Sequence, residues 1–193
     1  MADTGWKFPS EQEDNSNWDD ASRMEADDSS DAVANNTPAI VTQYNFSFSI
    51  PAGSSIDGVE VEIEGFQFED MSQDPVTMEI TPLYNSRGSS ATAKTSTQLP
   101  VWPADPGTVT FGGSSDTWGR SWSVSDFSNT NFGVKIKASW SDVGGQASID
   151  YLRTKIYYSA GGWSRKVNGV AGSSISKING VATSSIAKVN GVS

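Results

Sequence analysis

From position 58 the chain reads Gly-Val-Glu-Val-Glu-Ile-Glu, with Val59, Val61 and Ile63 alternating against Glu60, Glu62 and Glu64. A period of two places one set on each face of a sheet, whereas a helix would scatter both around its circumference. Just upstream, Tyr44, Phe46, Phe48 and Ile50 alternate with Asn45, Ser47 and Ser49. Pro51-Ala-Gly53 and Asp57-Gly58 punctuate the run, because proline fixes φ and glycine accepts positive φ. Strands are therefore expected over 39–50 and 58–66, joined by a turn-rich corner.

The same pattern recurs downstream. Val76, Met78 and Ile80 alternate with Thr77, Glu79 and Thr81, bracketed by Pro75 and Pro82. Asn85–Gly88 reads as a turn, and the Thr-rich stretch 89–97 as a weak edge strand. Leu99–Gly107 holds three prolines and reads as a loop anchored by Trp102. Thr108–Phe111 is a short strand, and Ser125 is placed to cap a helical turn. Phe132, Val134, Ile136, Ala138 and Trp140 give the clearest alternation of the chain. Asp142–Gly145 then turns it into a return strand over 147–158. That strand carries apolar residues on both faces, which predicts either a bulge near Asp150 or burial on both sides.

About eight short antiparallel strands find their natural solution in two packed sheets. The fold class expected is all-β, an antiparallel jelly-roll-like β-sandwich, followed by an extended repeat-containing tail. Seven Trp and eight Phe offset a hydrophobic content of only 36%, since each aromatic buries a large area.

Three regions follow from composition. Residues 1–38 hold ten acidic residues against Lys7 and Arg23. They read either as a disordered arm or as an extended segment pinned to the sandwich by Trp6, Phe8 and Trp18. Residues 39–159 form the sandwich. Residues 160–193 carry four positive charges and no acid, with Lys-Val/Ile-Asn-Gly-Val recurring at a spacing of 11 from Lys166, Lys177 and Lys188. Such a unit has too little apolar area to fold alone. It is either a flexible low-complexity tail or a docking and oligomerisation segment. In the latter case Lys166, Val167, Ile175, Lys177, Ile178, Ile186, Lys188 and Val189 make the contacts, with a neighbouring chain, the partners of a homotrimer or another protein's surface.

The chain has no Cys and no His. That removes disulfides, thiol chemistry, histidine-based triads and the ordinary zinc ligand sets. A net charge of −10 argues against a nucleic-acid partner. No apolar run approaches a membrane span. The opening residues lack signal-peptide features, so synthesis in the cytosol is expected.

Oxygen-ligand cations such as calcium remain open. The acidic stretches Asp14–Asp20 and Asp27-Asp28 lack the glycine and terminal glutamate of a calcium loop, however. Glu60, Glu62 and Glu64 follow one another at about 7 Å along one strand face. They read as a solvated face, with Lys135 and Lys137 as candidate cationic neighbours, more readily than as a cation site or an acid/base pair. Trp102, Trp118, Trp122 and Trp140 are candidate ligand or interface aromatics, with the sandwich core as the competing destination. No acid pair across a cleft is readable, so a glycosidase finds no support and no catalytic residue is assigned.

Four segments carry a resemblance. Phe48–Ile63, Phe111–Gly119, Asn131–Ile136 and Ser148–Arg153 with Ile156–Tyr158 resemble, in order and spacing, segments of tailed-bacteriophage virion proteins. Gly5-Trp6 and Ala26-Asp27-Asp28 resemble the opening of that domain, and the Lys-Val-Asn-Gly-Val units are similar to repeats of phage fibre-type proteins. The resemblance implies a non-enzymatic virion structural protein, most readily a capsid decoration or head-fibre protein attached through a terminal segment to the major capsid, neck or tail protein. The alternative it implies is a tail or neck appendage that binds a host-surface glycan. It brings no catalytic motif.

Overall fold

A computed structural model describes residues 1–68, 74–141, 144–161, 177–178 and 181–182. Two six-stranded sheets pack as the expected sandwich. The strands are β1 (Ala2–Asp3), β2 (Glu11–Ser16), β3 (Trp18–Asp19), β4 (Ala32–Ala34), β5 (Ala39–Tyr44), β6 (Ser55–Phe68), β7 (Thr77–Tyr84), β8 (Ser89–Ser90), β9 (Lys94–Ser96), β10 (Gly107–Gly112), β11 (Gly133–Ser139) and β12 (Gln146–Ser159). The first sheet runs β10-β6-β12-β4-β3, with β1 also on β12. The second runs β2-β5-β11-β7-β8, with β9 also on β7.

The alternating strands do what their pattern dictates. Val59, Val61 and Ile63 of β6 and Leu152 and Ile156 of β12 face Val41, Met78, Ile80, Val134 and Ile136 of the opposite sheet, all essentially without solvent contact. β6 and β12 are the two longest strands and pair over nearly their whole length. Their register slips between Ile149 and Tyr151, so Asp150 is a bulge residue, at the position where the mixed apolar pattern predicted one. Its buried carboxylate accepts from the backbone amides of Asp28 and Ser30, at 3.4 and 3.1 Å.

Residues 1–38 supply strands to both sheets. Ala2 and Asp3 pair with Tyr158 and Tyr157, Lys7 bridges Thr154, and β4 continues along the same edge opposite Ile149–Ala147. Trp6 lies against the Arg153 and Lys155 cations, 4.9 and 4.0 Å from ring centroid, and Phe8 meets Tyr151 edge-on. β2 crosses to the second sheet and pairs with β5.

Three expectations are corrected. β5 ends at Tyr44 rather than Ile50, because Asn45 and Ser47 take left-handed φ of 64° and 53°. Phe46 and Phe48 instead stack 5.4 Å apart and join Phe127 and Phe132 in an aromatic plug. β7 runs through Pro82 instead of stopping there, at a position paired with Val134. The helical turn at Val124–Phe127 is capped from Ser123, not Ser125, with Asp126 accepting from the Ser123 amide at 2.8 Å. β8 and β9 are edge strands on β7, as the Thr-rich stretch predicted.

Segment 111–119 is folded onto the start of β6. Trp118 is 1% exposed and donates its indole N–H to the Val59 carbonyl at 2.8 Å. Gly58 lets this happen, since a β-carbon there would lie 2.3 Å from the Gly113 carbonyl oxygen. Burial raises the Asp116 carboxyl's pKa, but the Lys94 ion pair at 2.8 Å and the Trp118 amide at 2.9 Å outweigh it and hold it below the usual aspartate range. In the tail, Lys177–Ile178 pairs antiparallel with Val181–Ala182, bracketing Asn179 and Gly180. Lys166, Val167, Ile175, Ile186, Lys188 and Val189 lie outside the described residues, as do Asp142 and Val143.

Two outcomes follow for stability. Gly58→Ala is expected to lower unfolding free energy by about 1–3 kcal/mol, because the clash is with backbone that cannot rotate away. Chemical denaturation measures it, and exposed Thr110→Ala should stay within about 0.5 kcal/mol. Asp116→Asn should destabilise at neutral pH and cease to matter in acid. A depressed folded-state pKa contributes stability above the unfolded value and loses it as pH falls through the folded value.

Candidate functional site

The outer face of β6 carries Glu60, Glu62, Glu64, Phe66 and Phe68 in succession, because the inner positions are taken by the core residues between them. Its first half is a charge ladder. Lys155 lies directly across from Glu60 and Arg153 across from Glu62. Lys155 Nζ sits 3.4 Å from Glu60, and Arg153 reaches Glu62 at 2.6 and 2.9 Å. Tyr157 donates to Glu60 at 2.6 Å and Tyr151 to Glu62 at 3.0 Å. Burial, then the hydrogen bonds to Glu62 and Glu64, push the Tyr151 phenol well above its ordinary range. Lys135 and Lys137, the expected partners, lie instead in β11 of the other sheet, where Lys137 is 3.9 Å from Glu79. Spacing along the chain does not reveal which strand will be the neighbour.

The second half is aromatic. Phe66 and Phe68 meet edge-on at 5.6 Å, and Trp102 lies across both at 5.3 and 5.8 Å. Trp102 is 53% exposed and Val101 beside it 38%, while both phenylalanines are half-buried. Apolar rings gathered in the open are costly in water and mark a surface made to be covered.

The tryptophan is held there by its backbone. Gln67 points into the protein between the two phenylalanines and is 1% exposed. Its amide N–H donates to Pro100 O at 2.8 Å, and its carbonyl accepts from Trp102 N at 2.9 Å. Its side chain donates to Leu99 O at 2.7 Å and accepts from the Val76 amide. Pro100 in turn lies over Gly107, where a β-carbon would come within 2.7 Å of its ring. Gln67 was not singled out by its sequence. A polar residue at an inward position of an otherwise apolar alternation was the available signal.

Of the four tryptophans singled out, the structure puts only Trp102 on this platform. Trp118 and Trp122 are core residues, 1% and 8% exposed, and not ligand-platform aromatics: both rings fill the sandwich and their indole N–H groups bond backbone carbonyls of Val59 and Thr117. Trp140 is half-buried at the rim of an open cleft of about 440 Å³, with Thr77, Thr97 and Ser139 among its walls. Among the described residues no three carboxylates are placed to hold a metal ion. Asp20 pairs with Arg23, Asp19 accepts from Asn35, and Asp28 receives its bond from Ser30.

Position also matters. Ser55 pairs with Ser159 at one end of the β6–β12 ribbon and Phe68 with Gln146 at the other. The platform and the point where residue 160 leaves the sandwich are therefore separated by about 40 Å of strand. Ala2 lies at the exit end, opposite Tyr158.

No protein-family model matches the chain, and no curated protein matches it. Solved structures with a similar course include TmCBM61 in complex with β-1,4-galactotriose (8% identity, TM-score 0.40, 78% of this chain and 88% of that one). A CBM4 structure (10%, 0.38, 80% and 94%) and the xylan-binding module CBM15 (15%, 0.39, 79% and 90%) are others.

Gln67→Leu is expected to leave Leu99 O and the Val76 amide without their buried partner, costing about 1–3 kcal/mol. Hydrogen exchange should speed up at the Val76 amide, while the β11 amides keep their protection and so does the Trp102 amide, which bonds the backbone carbonyl of residue 67.

Proposed function

We propose that this chain is a non-enzymatic binding module of a tailed-phage virion that presents the Phe66–Phe68–Trp102 platform to a host-surface glycan. The observation that carries the reading is Trp102, 53% exposed yet fixed against two further rings by the buried Gln67. Flat aromatic faces stack on the apolar C–H face of a pyranose ring, and a preset ring loses little freedom on binding. The virion part of the reading rests on the four-segment resemblance. Phe48–Ile63 and Phe111–Gly119, two of those segments, interlock through Trp118 and Gly58.

A module tethered through residues 160–193 would point its platform away from the tether, since the two lie at opposite ends of the longest strands. Many copies on one particle would multiply individually weak contacts. The resemblance and the tail repeats support a second reading, a capsid decoration or head-fibre protein docked through the tail and assembled as a trimer. Here the platform would cover a neighbouring virion protein.

A glycan array probed with the purified chain tests the first reading. Binding that Trp102→Ala reduces at least tenfold, with the melting temperature unchanged, is the expected result. An array with no bound glycan would sink it. For the second reading, removal of residues 164–193 should abolish decoration of particles, and full occupancy by the truncated chain would overturn it.

A further inference from the structure

Glu60, Glu62 and Glu64 look equivalent in the sequence, and the structure separates them. The first two are each opposed by a cation on β12. Glu64 is not: its cross-strand neighbours are Tyr151 on one side and Thr108 on the other. Among the described residues no Lys or Arg forms an ion pair with it. It stands one outward step from Phe66, about 7 Å along the strand, at the border of the platform.

Its surroundings are negative as well. The bulge residue Asp150 follows Ile149, which pairs with Gly65. Asp31 nearby has its carboxyl held above the ordinary range, first by burial and then by the negative charge of Asp150, with Arg23 opposing the shift and Glu64 adding to it. Gly65 fixes this junction, because a β-carbon there would lie 2.1 Å from the Ser148 carbonyl oxygen. The ladder cannot slide to bring Arg153 opposite Glu64.

We propose that Glu64 sets the specificity of the platform, accepting hydroxyl hydrogen bonds from a neutral saccharide stacked on Phe66 and Trp102 and rejecting saccharides that carry carboxylates. The proposal rests on the glycan-binding reading. A carboxylate has only acceptors to offer, so it rewards sugar hydroxyls, and a second carboxylate brought beside it meets like charge without a cation between them.

The test uses the full chain and matched probes: β-1,4-linked hexamers of glucose, galactose and xylose, with the first two also oxidised to carboxylates at C6. Wild type is expected to prefer the neutral form of a bound hexamer by about tenfold at low ionic strength, the difference shrinking as salt rises. Glu64→Gln should narrow the preference several-fold. Tyr151 keeps its bond to Glu62 in this variant, so the fold is expected to persist. Thr108→Lys provides an independent variant. It places a cation directly across from an untouched Glu64 and should narrow the preference in the same way.

If Trp102→Ala abolishes binding but wild type takes the oxidised hexamers equally well, the specificity proposal is overturned and the platform stands. The same holds if neither Glu64→Gln nor Thr108→Lys changes the preference. If neither the hexamers nor any arrayed glycan binds, or Trp102→Ala leaves binding intact, the glycan reading fails and takes this proposal with it; if only other arrayed glycans bind, the reading stands and the preference of Glu64 for a neutral hexamer is overturned.

Discussion

Everything in this sandwich hangs on the pairing of β6 with β12. These strands form the middle of their sheet, and every other strand of it except β3, which pairs with β4, lies on one of them. β10 lies on the free edge of β6, while β1, Lys7, Glu25 and β4 occupy the free edge of β12 in turn. The inner face of the pair supplies Val59, Val61, Ile63, Ala147, Ile149, Leu152 and Ile156 to the core. Its outer face is divided by the bulge at Asp150, with cross-strand ion pairs on one side and exposed rings on the other. Individually such ion pairs contribute little, roughly 0.2–1 kcal/mol. Their use here is register. A slip of one residue would turn Val59, Val61 and Ile63 outward and put Glu60 and Glu62 into the core.

The rigid aromatic platform depends on a different economy. Burying an amide side chain is unfavourable unless its donors and acceptor are met. Gln67 meets that condition by holding two stretches of chain, one before β7 and one before β10. A hydrophobic residue at the same point would keep the backbone bonds to Pro100 and Trp102 but lose the side-chain bonds that hold Leu99 and Val76. The buried polar group serves the placement of an exposed one.

Much of the architecture was legible because alternation is a local signal. β6, β11 and the bulged β12 were all readable from their own residues, and so was the edge character of 89–97. β2 was not, since Glu11–Ser16 has no apolar alternation and becomes a strand only because the edge of β5 offers it hydrogen bonds. Phe46 and Phe48 kept the period of a strand but were drawn into an aromatic plug, where packing outweighed pattern. The tryptophans show the limit most plainly. Trp102 and Trp118 are the same residue type in similarly polar, turn-rich contexts, and burial is decided by contacts 35 to 59 positions away, with Gln67 and with Val59.

The way residues 1–34 are tied to β12 has a kinetic consequence. Ala2 meets Tyr158 and Ala32 meets Ile149, so contacts span more than a hundred positions. Folding rates fall as such separations grow, because the loop must be closed before the contact repays its entropy. During synthesis the acidic leading stretch has emerged well before its partner strand exists. Its ten acidic residues disfavour collapse while it waits, and the sheet edge it will occupy is made more than a hundred residues later. By pairing with the free edge of β12, these upstream residues close it to the edge of a neighbouring chain.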